Sequence, residues 1–421
     1  MLLAPLCGVL AFSEQGSTLL PREDASQLPS SKHGTPNVLL LYPDQWRWDW
    51  TKQPSTGAPP TTLSTPTFDS TAAEGVRFDF AYVPAPLCGP SRSALALGRE
   101  YDPTGVIGNE DVERVLQGKT TVYRALRDAA GYHVMMSGKD DLSVPYGAQG
   151  EHRATELGYS AWAGRSPGKN HHERGSGPYA EFLASQTVRM DDGSVRNALV
   201  VSSECHTGIG AAACCQSAQT GKVGEYYCVH SLPDEWPEEW YYDNWVGEKA
   251  LKMLKERPKD KPWFMQVNFP GPHPPQAITR SMHKAVSGRH FEMPIDNARE
   301  TAANLSDAAV NFSDAAAEVR GGVYLDAASA MAADTSASMH LWARRSYAAE
   351  IENIDRWFGK LITAVRELGD YDNTLICIAS DHGEMLGDHG QWGKILPYAA
   401  IFSKTLRAPP CLTALWPSLA G

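Results

Sequence analysis

No run of apolar residues in the chain approaches the roughly 20 that a helix needs to cross a bilayer, so no membrane span is expected. Positive charge is also short. Lys and Arg number 38 against 49 Asp and Glu, for a formal net charge of −11. That balance excludes a broad nucleic-acid-binding face and leaves room for a small basic pocket around an anion. Cysteine is concentrated in one place: of 8 in the chain, Cys205, Cys214, Cys215 and Cys228 fall in "CHTGIGAAACCQSAQTGKVGEYYC". Their spacing fits no standard zinc pattern, even with His206 and His230 beside them. Disulfides in a surface insertion are the expectation. No internal repeat is present. The opening "MLLAPLCGVLAFSEQG" has the apolar core of a secretory signal but no Lys or Arg before it. With the Ser-, Pro- and charge-rich stretch that follows, residues 1–36 read as a signal-like segment and linker. Secretion, or a lysosomal or other secretory-pathway location, is the corresponding expectation. The sequons at Asn304 and Asn311 agree with it.

What is present is ordinary globular material. The chain has 421 residues, 42% of them hydrophobic, which is enough for a large core. "NVLLLY" (37–42), "WFMQVNF" (263–269) and "NTLICIAS" (373–380) are apolar runs suited to buried strands, the first covered on both faces, and "VRFDFAYV" and "HVMMSG" read as further strands. Between them lie helical patterns: "TPTFDSTAAEG", "TTVYRALRDAAGY", "DNWVGEKALKMLKER" and "RRSYAAEIENIDRWFGKLITAVRELG". Alternation of this kind predicts an α/β fold, a large and mostly parallel sheet sandwiched between helices. Two stretches, near 142–235 and 276–340, break the rhythm and read as insertions at the sheet's rim.

Chemistry gathers at the predicted strand ends. Asp44 ends "NVLLLYPD", Lys139 ends "HVMMSGK", His273 follows "WFMQVNFPGPH", and Asp381 and His382 follow "NTLICIASDH". Ligands of open α/β sheets sit beyond the carboxyl ends of the strands, so these residues can converge. Asp44, Asp381 and His382 make a plausible set for a hard divalent cation, with Gln45 either adding a neutral oxygen or capping the turn. Asp388 and His389 read as a solvated helix end. "PLCGPSRSALALGRE" (86–100) places Cys88 just ahead of a helix that Pro90 would open, near Arg92. Free N–H groups and the positive end of a helix dipole suit an anion or an activated sulfur there. The alternative is a buried structural cysteine beside an arginine that caps a loop.

"CGPSRSALALGR" resembles the signature of the formylglycine-dependent sulfatases, Cys-x-Pro-Ser-Arg followed by an apolar helix and Gly-Arg. "PNVLLLYPDQ", "GYHVMMSGK", "NFPGPHPP" and "IENIDRWFGKLITAVRELGDYDNTLICIASDHGEMLGDHGQWGK" are similar to that family's metal strands, Gly-Lys element and Pro-His-x-Pro turn. The matches run from about Asn37 to Lys394. In motif style they are nearest the iduronate and choline sulfatase and phosphonate monoester hydrolase branches. The resemblance implies an alkaline phosphatase-like fold, with a catalytic domain at 37–403, and hydrolysis of a sulfate ester, possibly a sulfated carbohydrate. It implies that a formylglycine-generating enzyme oxidises Cys88 to formylglycine during maturation. A hydroxyl of the hydrated aldehyde then attacks sulfur. The second hydroxyl lets sulfate leave as the aldehyde re-forms. It further implies Asp44, Gln45, Asp381 and His382, with residue 88, as ligands of Ca²⁺ (Mg²⁺ or Mn²⁺ being the alternatives). Arg92 would steady the formylglycine. Lys139 and Lys394 would hold sulfate oxygens, and His273 would bind sulfate and protonate the leaving oxygen.

Three departures qualify the likeness. Asp141 stands where a histidine often helps to release sulfate, so either it or another group is the base. Gln45 stands where many members carry a second Asp; the branches acting on choline sulfate or phosphonate esters share the Asp-Gln pair. Beyond Lys394 the family usually continues into a small C-terminal subdomain, on the order of a hundred residues. Here 404–421 reads as an atypical, truncated tail. The expected partners are a sulfated small molecule or glycan and the maturation enzyme. The competing readings are a phosphonate or phosphodiester hydrolase using the same group, and a truncated, inactive relative that binds sulfated glycans.

Overall fold

The computed structural model describes residues 34–51, 62–78, 81–142, 150–165, 177–207, 232–274, 276–294, 337–388, 393–394 and 404–407. The side chains of the 205–228 cysteine cluster, both sequons, His389, residues 1–33 and the stretch 408–421 lie outside what is described.

The strands are β1 (Asn37–Leu41), β2 (Val76–Phe78), β3 (His133–Gly138), β4 (Ala161–Arg165), β5 (Thr187–Arg189), β6 (Val195–Asn197), β7 (Trp263–Asn268), β8 (Thr374–Ile378) and β9 (Lys404–Arg407). Seven of them form one sheet in the order β2-β9-β8-β1-β7-β3-β4, while β5 and β6 pair as a separate hairpin. β4, β3, β7, β1 and β8 are mutually parallel, and β9 enters antiparallel between β8 and β2. β1, the central strand, is buried at all five positions, as a parallel strand covered on both faces must be. β4 falls inside the 142–235 stretch, yet it extends the main sheet by pairing with β3.

Alternation along β7 shows how both faces are covered. Phe264 packs on Tyr123 at a ring distance of 5.9 Å, and Gln266 accepts the Tyr123 hydroxyl at 2.9 Å. These contacts belong to the side of the Val122–Asp128 helix. Phe269, on the other parity, meets Phe358 of the long Ala337–Glu367 helix at 5.7 Å. Trp46, fully buried just past β1, stacks on the same Phe358 at 5.8 Å and touches Phe68 of the Pro66–Glu74 helix. Asp355 reaches from the long helix to accept Thr67 N–H and Phe68 N–H at 3.0 and 2.8 Å. It thereby satisfies donors that the start of the Pro66–Glu74 helix leaves open.

Candidate functional site

β1, β3, β7 and β8 each deliver polar groups at their carboxyl ends, and short backbone links lace these ends together. Asp44 N–H bonds the carbonyls of Phe269 and Gly271 at 3.0 and 3.1 Å. Gly271 N–H in turn bonds Asp243 Oδ1 at 2.9 Å. Lys139 N–H bonds Asn268 O at 3.0 Å. That approach explains the glycine before Lys139: Gly138 has φ +88°, and a Cβ there would lie 1.9 Å from the Asn268 carbonyl oxygen. Ser380, past β8, accepts Trp46 N–H at 2.9 Å. Tyr347 accepts Arg47 N–H at 2.8 Å and donates to Gln45 O at 2.6 Å, bracing the left-handed turn at Gln45, φ 69°.

Cys88 does not precede its helix. It is the first residue of the Cys88–Leu97 helix, with the extended Leu87 as cap, so Pro90 sits inside the first turn, where its missing N–H costs nothing. Gly98 closes the helix in the left-handed conformation. Ser91 donates to Asp381 O at 2.7 Å, fastening the helix start to the end of β8.

All ten residues singled out from the sequence come together here. Cys88 Sγ lies 2.8 Å from Lys394 Nζ, 3.2 Å from His382 Nε2, 3.5 Å from Lys139 Nζ and 3.8 Å from both Asp44 carboxylate oxygens. Lys139 is also paired with Asp44. Arg92, 2% exposed, donates through Nε to Asp381 Oδ2 at 2.9 Å and through Nη1 to Lys139 O and Asn268 Oδ1 at 2.6 and 3.0 Å. Its guanidinium lies over the Tyr42 ring at 5.1 Å. Asp141, with φ 55°, places a carboxylate oxygen 3.5 Å from Lys139 and 3.7 Å from Arg92. His273 is buried, with Nδ1 against Pro274 O at 2.6 Å.

Electrostatics follow from packing these charges away from water. Burial pushes the Asp44 carboxyl up, but Lys139, His273, Lys394 and Arg92 together pull it well below the ordinary carboxylate range. Burial, Lys394 and Lys139 hold His273 well below the usual imidazole value. Burial, assisted by Asp44, pushes the Cys88 thiol up to about 11. An activated thiolate, one of the alternatives for this cysteine, is therefore disfavoured in the ligand-free fold.

One donor set fits a cation. Asp44, Cys88, Asp381 and His382 each offer one ligand atom, all lying within 4.8 Å of one another, and all four residues are buried. Gln45 adds a carbonyl oxygen, Oε1, that is buried and has no hydrogen-bond partner. A buried amide oxygen in that condition costs energy unless something takes it up. Oxygen donors with one imidazole suit a hard divalent ion.

Asp388 is a correction. It is not on a solvated helix end but 4% exposed, paired with Arg47 and with Arg344 Nη2 at 2.7 Å. The chain after His382 turns back beneath Arg344, which also holds Leu386 O at 2.9 Å. Sequence reasoning missed Asn268, Glu384, Tyr347 and Asp243. Asn268 is a polar residue ending a strand, the same signal that found Lys139. Glu384 lies within the quoted "SDHGE". Tyr347 is 302 residues from Gln45 and carries no local signal.

The model of the Sulfatase family matches residues 36–409. The chain belongs to the sulfatase family. Among curated relatives, it is 24% identical to an arylsulfatase of Clostridium perfringens over 86% of this chain and 66% of that one. It is 27% identical to the multifunctional alkaline phosphatase superfamily protein PehA of Trinickia caryophylli, over 85% and 65%. It thus spans just under two thirds of the length of these relatives. The phosphonate monoester hydrolase of Agrobacterium radiobacter shares the fold at a TM-score of 0.60 and 22% identity, covering 89% of this chain and 68% of that one. This sulfatase-family chain therefore has the expected α/β architecture of the alkaline phosphatase-like fold. Among the described residues, no helix is long and apolar enough to cross a membrane.

Proposed function

We propose that this chain hydrolyses sulfate esters at the cluster around residue 88. The observation that carries the reading is the placement of Cys88 Sγ between Lys394, Lys139, His382 and Asp44, at 2.8 to 3.8 Å. Two lysines and an arginine around one buried point suit a tetrahedral anion, whose oxygens gain charge in the transition state. In this reading Cys88 would be the precursor of formylglycine, whose hydrate would supply a hydroxyl nucleophile for sulfur and, through its second hydroxyl, a route for sulfate to leave. A divalent cation, Ca²⁺ first, would be held by Asp44, Gln45, Asp381 and His382 and would lower the pKa of that hydroxyl. Lys139 and Lys394 bind the sulfuryl oxygens. Arg92 fixes Asp381 and the Lys139 backbone. His273 meets the leaving oxygen, and Asp141, beside Lys139, is positioned to take the proton as sulfate is released. A sulfated small molecule or glycan is the proposed substrate class, with maturation in the secretory pathway.

Phosphonate or phosphodiester hydrolysis is the second reading. The Asp44–Gln45 pair is compatible with both readings, since the resemblance gives that pair to the choline sulfate and the phosphonate branches alike. Competing a phenyl phosphonate monoester against 4-nitrophenyl sulfate separates the two. The first reading is tested at residue 88 itself. Peptide mass spectrometry of protein co-expressed with a formylglycine-generating enzyme should show loss of the thiol mass and gain of the aldehyde. Unmodified cysteine only, where a control sulfatase is converted, would overturn it.

A further inference from the structure

Gln45 and Glu384 are both fully buried. Glu384 Oε2 accepts from Gln45 Nε2. Glu384 Oε1 accepts from Leu386 N–H at 3.1 Å and from Gly393 N–H. Gly393 is held a second time, its carbonyl accepting Met385 N–H at 2.9 Å. The next residue is Lys394, whose Nζ reaches Cys88. Which end of an amide is nitrogen is set by its partners, and a carboxylate accepting three N–H groups requires the Gln45 nitrogen on its side. The Gln45 oxygen must then face the other way, and that is the buried oxygen without a partner.

We propose that Glu384 is a positioning residue and that it forms a matched carboxylate–amide pair with Gln45. Through one carboxyl group it turns the Gln45 oxygen toward the cation site and fixes the Gly393–Lys394 backbone that carries the sulfate-binding ammonium. Its charge explains why a neutral amide serves at position 45: two facing buried carboxylates would repel. The proposal rests on the metal reading above only for where Oε1 points, and not for the pairing.

The test is a charge swap. In Glu384→Gln the new amide keeps its oxygen on Leu386 and Gly393, so its nitrogen meets the Gln45 nitrogen. Gln45 must flip, turning N–H groups toward the cation. Calcium affinity, measured by titration calorimetry on the full chain, should fall about 10- to 100-fold although Glu384 is not itself one of the proposed ligands. Adding Gln45→Glu to that variant restores a donor–acceptor pair with the same total charge. Affinity should return to within about threefold of wild type. For 4-nitrophenyl sulfate, Glu384→Gln should also raise KM as Lys394 loses its anchor, and the swap should recover it. Melting of all three proteins in EDTA reads the pairing without metal: the single variant falls and the swap recovers. Wild type that binds no calcium, with that melting pattern intact, removes the metal reading and leaves the pair standing. Wild-type calcium affinity in Glu384→Gln, or a swap no better than the single variant in both affinity and melting, overturns the proposal.

Discussion

Replacing Arg92 tests whether the centre of this site is held by charge or by shape. The guanidinium is 2% exposed and gives Asp381 two contacts, at 2.9 and 2.8 Å. It also bonds Lys139 O at 2.6 Å and Asn268 Oδ1 at 3.0 Å. Alanine leaves Asp381, itself fully buried, with its backbone donors alone: Gln45 N–H at 3.0 Å and His382 N–H at 2.9 Å. Removing one partner of a buried ion pair costs about 3–5 kcal/mol, out of a total stability of about 5–15 kcal/mol. For a long chain each kcal/mol moves Tm by about 2 °C, so Arg92→Ala should melt roughly 6–10 °C lower. Lysine keeps the charge but not the planar fork, and one ammonium cannot reach Asp381, Lys139 O and Asn268 Oδ1 together. Arg92→Lys should therefore lose about 1–3 kcal/mol. The assay is calorimetric melting in EDTA, repeated at high salt, to which a pair this buried should respond little. An alanine variant within about 1 °C of wild type, or a lysine variant indistinguishable from it, would refute the reasoning.

Two further outcomes follow from single contacts. Gly138→Ala places a Cβ 1.9 Å from the Asn268 carbonyl oxygen at φ +88°, so β3 or β7 must shift. Denaturant unfolding should show a loss of about 3 kcal/mol or more, or no soluble protein, and a loss under about 1 kcal/mol would contradict the close approach. Asp355 is pushed up by burial to about 6, against donors from Thr67 and Phe68 that pull it down. The folded chain then holds this proton more tightly than the unfolded one. Its stabilising effect is complete below about pH 4 and is lost as pH rises to 6, by about 3 kcal/mol. Urea midpoints of wild type and Asp355→Asn should therefore diverge over that window, with wild type falling relative to the variant. Parallel pH profiles would show that Asp355 ionises in the fold as it does in the unfolded chain.

The sequence by itself determined the layers and the strand ends. Short β-rich apolar runs such as "NVLLL" and "TLICI" suit strands covered on both faces, and β1 and β8 are buried throughout. Asp44, Lys139, His273, Asp381 and His382 were legible because a polar residue closing such a run has nowhere to sit but the sheet's carboxyl edge. Cys88 and Arg92 were legible as an anion or thiol site beside a helix start, but their roles, and Lys394 altogether, came only through the family motif. What the tertiary structure decided is which of these groups touch, and what supports them from far along the chain. Tyr347 braces Gln45 from 302 residues away, and Arg344 buries Asp388 across 44. The Cys88–Leu97 helix starts at Cys88, and not at the proline, with Ser91 N–H closing its first turn on Leu87 O at 3.0 Å and the Ser91 hydroxyl fastened to Asp381 O beyond β8. Glu384 takes its significance from being behind Gln45 and beneath Gly393 at once. Periodicity reports the face on which a side chain lies, because burial acts on each residue in turn. A hydrogen-bond partner is set by the pairing of distant segments, and no local pattern encodes it.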